Sequence, residues 1–159
     1  MKNINTLARM IGRNLQAKHA MMATAESCTG GGIAYAITSI PGSSEWFDRS
    51  FVTYSNASKV DMLGVPSALI AENGAVSEEV AIAMVKGVLA RSHSDFTVSV
   101  TGIAGPGGAV PGKPVGTIYF AWASAHNIYT KRMVFSGNRH AVRKQTIKYA
   151  LQELLAFIG

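Results

Sequence analysis

The chain is short of cysteine, histidine and acidic residues, and it carries no long apolar run. Its one cysteine, Cys28, excludes an intrachain disulfide framework, and four scattered histidines beside it offer no zinc-type ligand spacing. No stretch approaches the roughly 18 apolar residues that a spanning helix needs, and the opening Met-Lys-Asn-Ile-Asn-Thr-Leu lacks the apolar core of an export signal. A cytoplasmic protein with no membrane partner is expected. Nine acidic residues against 15 Lys and Arg leave a net charge of +6, which favours an anionic partner. The basic residues are dispersed, and the densest group, Arg139 to Lys148, has no interleaved aromatics on which bases stack. Nucleic acid therefore ranks below a phosphorylated small molecule.

What is present is a chain of 159 residues, 48% hydrophobic, without linker, repeat or low-complexity tract, which fits one domain over residues 1–159. Leu7, Ala8, Met10, Ile11 and Leu15 recur at helical spacing, so a helix is expected from Asn5 to about Lys18, capped by Asn5 or Thr6. Met21 to Thr24 reads as a buried strand running into the turn Gly30-Gly31-Gly32. A helix from Ile33 to Ile40 follows, stopped by Pro41-Gly42. Phe51 to Tyr54 is β-branched and aromatic enough for a strand, with short helices after it at Ala57 to Leu63 and Pro66 to Glu72. Ser77 caps an amphipathic helix whose first turn holds Glu78 and Glu79, where the helix dipole favours acids. Phe96 to Val100 is a strand that empties into a Gly- and Pro-rich loop, Thr101 to Gly116, and a loop that long in a compact domain is usually functional. Thr117 to Ser124 and Ile128 to Phe135 form a hairpin around Ala125-His126-Asn127, and Asn138 caps the last helix. Alternating strands and helices, closed by this hairpin and helix, predict a three-layer α/β/α sandwich around a mixed, mostly parallel sheet. Ligands bind such sheets where strands give way to loops, which puts Ser27, Tyr54 and Thr101 on one rim.

Ser27 stands between a strand and a glycine-rich helix start, where backbone N–H groups suit a phosphate or a developing oxyanion. It serves equally as a plain helix cap, and the segment is neither a Walker loop nor a Gly-x-Ser-x-Gly elbow. Lys59 begins a helix after Tyr54; a lysine there is ordinarily solvated, and acts as a base only if burial lowers its pKa. His19, His93, His126 and His140 each sit alone in surface-like stretches. Cys28 reads as a packing residue, since no histidine is placed to generate its thiolate. Arg139, His140, Arg143 and Lys144 crowd the start of the last helix, against the sign of its dipole. Arg139 and Arg143, four apart on one face, form either a phosphate clamp or a solvated basic face.

Taken in order, Thr24-Ala-Glu-Ser-Cys-Thr-Gly-Gly31, Phe51-Val-Thr-Tyr-Ser-Asn56 with Lys59, Gly74-Ala-Val-Ser77, Thr101-Gly-Ile-Ala-Gly-Pro-Gly-Gly108, Lys113-Pro-Val-Gly-Thr117 and Phe135-Ser-Gly-Asn-Arg139 resemble the carboxy-terminal domain family of the competence/damage-inducible protein CinA. The resemblance spans nearly the whole chain and implies the stand-alone form of a family that includes nicotinamide mononucleotide deamidases. These bacterial enzymes of pyridine nucleotide salvage yield nicotinate mononucleotide and ammonia. It implies Ser27 as nucleophile, Lys59 as its base, and Tyr54 and Thr101 as orienting groups. Backbone N–H groups near Gly30 and Gly31 are the expected oxyanion donors. Arg139 and Arg143 are expected at the 5′-phosphate, with the loop from Gly102 through Gly105 to Gly108 bordering the nucleotide. No metal and no cofactor is implied, and a homodimer is the assembly it favours. The chain departs from the family at Ala109-Val110-Pro111-Gly112, where further polar residues are usual, and in its third glycine, Gly32. A nucleotide-binding module without hydrolysis and a basic partner protein are the alternative readings.

Overall fold

The computed structural model describes residues 2–159. Strands β1 (Met22–Glu26), β2 (Phe47–Val52), β3 (Phe96–Gly102), β4 (Thr117–Ala123) and β5 (Ile128–Val134) form one sheet in the order β2-β1-β3-β4-β5. β1 pairs in parallel with β2 and β3, whereas β4 runs antiparallel to both β3 and β5. The sheet is mixed as expected, but two of its four pairings are antiparallel rather than most being parallel, because β4 reverses beside β3 and turns back through the hairpin into β5. Helices α1 (Ile4–Ala17), α2 (Gly32–Thr38) and α6 (Arg139–Ile158) cover one face; α3 (Asn56–Leu63), α4 (Ser67–Asn73) and α5 (Glu78–Arg91) cover the other.

The period-2 alternation of the strands assigns residues to these layers. Val98 and Val100 of β3 join the core beneath α1 and α6, while Ser99 turns the other way and donates to Ala81 O of α5 at 2.7 Å. On β4, Phe120 and Trp122 stack at 5.4 Å between ring centroids, and the indole N–H donates to Ala150 O of α6 at 3.0 Å. Both rings are fully buried, and truncation of such a side chain costs about 3–5 kcal/mol. No helix among the described residues is long and apolar enough to cross a membrane.

Several boundaries differ from expectation: β1 runs on to Glu26 rather than Thr24, and α2 ends at Thr38 rather than Ile40. α1 is capped two or three residues earlier, by Asn3, whose side chain accepts from Thr6 N at 2.8 Å. β2 begins at Phe47 and ends at Val52, so Tyr54 lies beyond it. As an edge strand with half-buried positions, β2 tolerates Asp48, Arg49 and Ser50, which hide its strand signal. β3 extends to Gly102, which places Thr101 inside the ladder opposite Tyr119. A Cβ on Gly102 would lie 2.7 Å from Thr117 O, so glycine is what lets β3 stay paired here. The carboxyl ends of the parallel strands share a register, Glu26 lying beside Val52 and Val100, and Ser27 follows directly.

Candidate active site

The chain leaves β1 through a turn held by main-chain bonds: Ser27 N–H donates to Val100 O at 3.1 Å, and Gly30 N–H to Ser27 O at 3.0 Å. Gly30 and Gly31 are left-handed, with φ of 58° and 97°, a conformation that glycine adopts without steric cost. Gly31 is also the N-cap of α2, and it has no side chain with which to satisfy the orphan N–H groups of that helix. Glu26 does so instead. Its buried carboxylate accepts from Ile33 N at 2.8 Å and Ala34 N at 2.9 Å, and from the hydroxyls of Thr29 at 2.6 Å, Thr24 at 3.2 Å and Ser50 at 3.3 Å. Negative charge at a helix N-terminus is favourable, and here it ties α2 to the strand that carries Ser27. Sequence reasoning passed over Glu26; the available signal was a lone acid closing an apolar strand.

Lys59 reaches the same turn from α3, whose start is capped by Ser55 Oγ accepting from Ser58 N at 3.1 Å. Unlike a solvated helix lysine it is only 1% exposed. Its Nζ donates to Ser27 Oγ at 2.9 Å, to Thr53 O at 2.7 Å and to Tyr54 O at 3.2 Å. Those two carbonyls lie past the end of β2, outside its ladder, and so are available to the ammonium. Burial lowers the lysine from 10.5 to about 8. As an ammonium, Lys59 matches three donors to three acceptors. As an amine, it keeps two N–H groups on the carbonyls and directs its lone pair to the Ser27 hydroxyl.

A cavity of about 280 Å³ opens over this pair, bounded by Tyr54, Thr101, Gly102, Gly105 and Arg139 among others. Arg139 spans its mouth, donating to Gly105 O and to the Tyr54 hydroxyl, both at 2.9 Å. Thr101 donates its hydroxyl to Ala75 O at 2.8 Å and so fixes the wall formed by Ala75 and Val76. Asn56, Ala75 and Val76 line the cavity although the sequence reading gave them no role. Gly30, Gly31 and Arg143 do not line it. The Gly30 N–H is committed to Ser27 O, whereas the N–H groups of Ala104 and Gly105, on the wall, have no acceptor among the described residues. Arg143 donates to Cys28 O at 3.1 Å and Thr29 O at 3.0 Å, holding the turn from outside the cavity. Cys28 is buried, and desolvation pushes its thiol up to about 12. All four histidines are exposed and none borders this cavity; among the described residues no His, Cys, Asp and Glu cluster suits a metal ion.

An α/β/α sandwich that sets a buried lysine against a serine at the carboxyl end of its first strand defines the class: a serine–lysine site on a mixed sheet. Residues 4–158 match the CinA C-terminal domain, and the chain belongs to that family. It is 52% identical over 155 residues to the nicotinamide-nucleotide amidohydrolase PncC of Pseudomonas putida, covering 98% of this chain and 97% of that protein. It is 51% identical over 149 residues to PncC of Escherichia coli strain K12, covering 93% and 90%. The crystal structure of competence/damage inducible protein CihA from Agrobacterium tumefaciens superposes with a TM-score of 0.97 at 43% identity, covering 100% of this chain and 98% of that one.

Proposed function

We propose that this protein hydrolyses the carboxamide of nicotinamide mononucleotide to nicotinate mononucleotide and ammonia, a reaction of pyridine nucleotide salvage. The observation that carries the reading is the 2.9 Å contact between Lys59 Nζ and Ser27 Oγ in a site that no histidine enters. Identity above 50% to two amidohydrolases of that printed name, over nearly the full length of each, supports the substrate.

In the forward half-reaction, neutral Lys59 takes the Ser27 proton as Oγ attacks the carboxamide carbon. The tetrahedral oxyanion is met by N–H donors on the wall, for which Ala104 and Gly105 are unengaged. The Lys59 ammonium then gives its proton to the departing nitrogen, ammonia leaves, and an ester to Ser27 remains. Water, deprotonated by the same amine, cleaves the ester; the acid is released and the proton returns to Ser27. Thr101 acts through the Ala75 wall, Tyr54 through Arg139. Arg139 supplies the positive charge for the 5′-phosphate, since its two bonds to Gly105 and Tyr54 leave other guanidinium N–H donors unused.

Ammonia release from nicotinamide mononucleotide tests this directly. Wild type turns over, and Ser27→Ala loses at least about a thousandfold in kcat while still binding the nucleotide. Binding by wild type without turnover would instead establish a nucleotide-binding module.

A further inference from the structure

We infer that Asn56 grips the carboxamide of the substrate and makes the site discriminate the amide from its acid product, a reading that rests on the proposed reaction. Asn56 is the first residue of α3, three positions before Lys59, so the two side chains share a helix face, and both line the cavity over Ser27. Every other hydrogen-bonding side chain on that wall, cysteine apart, has at least one partner within the chain, and the donors that Arg139 leaves unused are those assigned to the phosphate. Lys59 holds Ser27 and two carbonyls, Thr101 holds Ala75 O, and Arg139 holds Gly105 O and the Tyr54 hydroxyl. The Asn56 amide, on an exposed residue at the edge of the cavity, has no partner among the described residues and is open to a ligand. Nor does the helix need it, because Ser55 already supplies the cap and asparagine has no propensity advantage inside a helix.

A side-chain amide offers both donors and an acceptor, the same complement as a primary carboxamide. Paired edge to edge, Asn56 Oδ1 accepts an N–H of the substrate and Nδ2 donates to its carbonyl oxygen. Hydrolysis replaces that nitrogen with a carboxylate oxygen. The N–H is then gone and an anionic oxygen faces Oδ1, so the contact that holds the amide repels the product. Sites built to bond an N–H reject analogues lacking it by unpaired polar groups, and here this speeds release of the acid.

The test is equilibrium binding of nicotinamide mononucleotide and nicotinate mononucleotide to protein carrying Ser27→Ala, which blocks turnover. The Ser27→Ala protein is expected to prefer the amide. Adding Asn56→Leu lowers the ratio of amide to acid affinity by roughly 10- to 100-fold. Adding Asn56→Asp, which keeps an acceptor and adds charge, preserves or raises that ratio. In wild-type background, Asn56→Leu raises KM for the amide and strengthens relative inhibition by the acid. Equal weakening of both nucleotides would place Asn56 at their shared ribose phosphate, and an unchanged ratio would remove it from the carboxamide; either overturns the assignment while leaving the deamidase reading intact. Failure of the Ser27→Ala protein to bind either nucleotide overturns the substrate reading and this assignment together.

Discussion

Two cations approach the turn after β1 from opposite faces of the sheet. Lys59, on α3, and Arg143, on α6, both donate to main-chain carbonyls, and neither has a carboxylate partner among the described residues. The difference lies in what remains once the carbonyls are served. Lys59 has a third partner, the Ser27 hydroxyl, and burial brings its proton within reach of neutral pH. Arg143 has no such partner, and a guanidinium does not release its proton in a protein. On the proposed mechanism, one cation does the chemistry and the other holds the frame in which that chemistry occurs.

The largest effect that distinguishes them is on turnover. Lys59→Met is expected to lower kcat by a thousandfold or more, on the order of 4 kcal/mol in the barrier, and Lys59→Arg should not restore it because the base itself is missing. In wild type, kcat/KM should rise with pH along a limb centred at about 8, as the lysine loses its proton, and that limb should vanish in the residual activity of the variants. A Lys59→Arg enzyme with near-normal turnover would show that the side chain acts only as a positive charge.

A second effect appears in stability. The unfolded chain holds the Lys59 proton up to about 10.5, whereas the native state gives it up at about 8. Below pH 8 both states are protonated and the native state carries the whole burial penalty. Between these values the unfolded state binds more protons, so stability rises with pH; above 10.5 the penalty is gone. Relative to Lys59→Met, which cancels titrations elsewhere in the chain, wild type should gain roughly 3 kcal/mol between pH 7 and 10.5. Chemical denaturation at a series of pH values reads this difference, and a flat difference would contradict the buried lysine.

The same contrast explains which parts of the site were legible. Ser27, Tyr54 and Thr101 could be placed on one rim because strand ends follow from hydrophobic runs and punctuation by glycine and proline. Lys59 could be singled out only as a conditional base, since burial by tertiary packing is invisible in a local window. Charge counting detected the crowded cations at the start of α6 but expected an anion there; the fold relieves Arg143, and in part Arg139, with carbonyl oxygens of Cys28, Thr29 and Gly105, groups that no sequence pattern displays. Glu26 escaped for a related reason. It caps α2 from seven residues before Ile33 and from a different element, a spacing unlike any local capping box. β2 was misplaced because an edge strand follows backbone pairing more than hydrophobic alternation.

Arg143→Met provides the intermediate case. Removing the guanidinium frees Cys28 O and Thr29 O, so a loss of about 1–3 kcal/mol in stability is expected from the unpaired acceptors. Turnover should fall by about 10- to 100-fold, through misplacement of the Ser27 turn, with the pH midpoint near 8 unchanged. A shifted midpoint would mean that Arg143 acts on the Lys59 proton and not only on the frame.

The smallest effect falls on the residue with the strongest intrinsic nucleophile. Cys28 adjoins Ser27 and borders the same cavity, and Lys59 and Arg143 both act to stabilise its thiolate. Burial outweighs them, with Glu26 adding to the upward push, and the thiol stands at about 12. Raised that far by burial, Cys28 carries too little thiolate near pH 8 to compete with a serine whose proposed base, Lys59, stands at about 8. Cys28→Ala is therefore expected to keep kcat within about threefold of wild type, and iodoacetamide to inactivate slowly if at all, because the thiolate is the reactive species. Loss of activity in Cys28→Ala comparable to that in Ser27→Ala would transfer the nucleophile to sulfur and reverse the assignment of both residues.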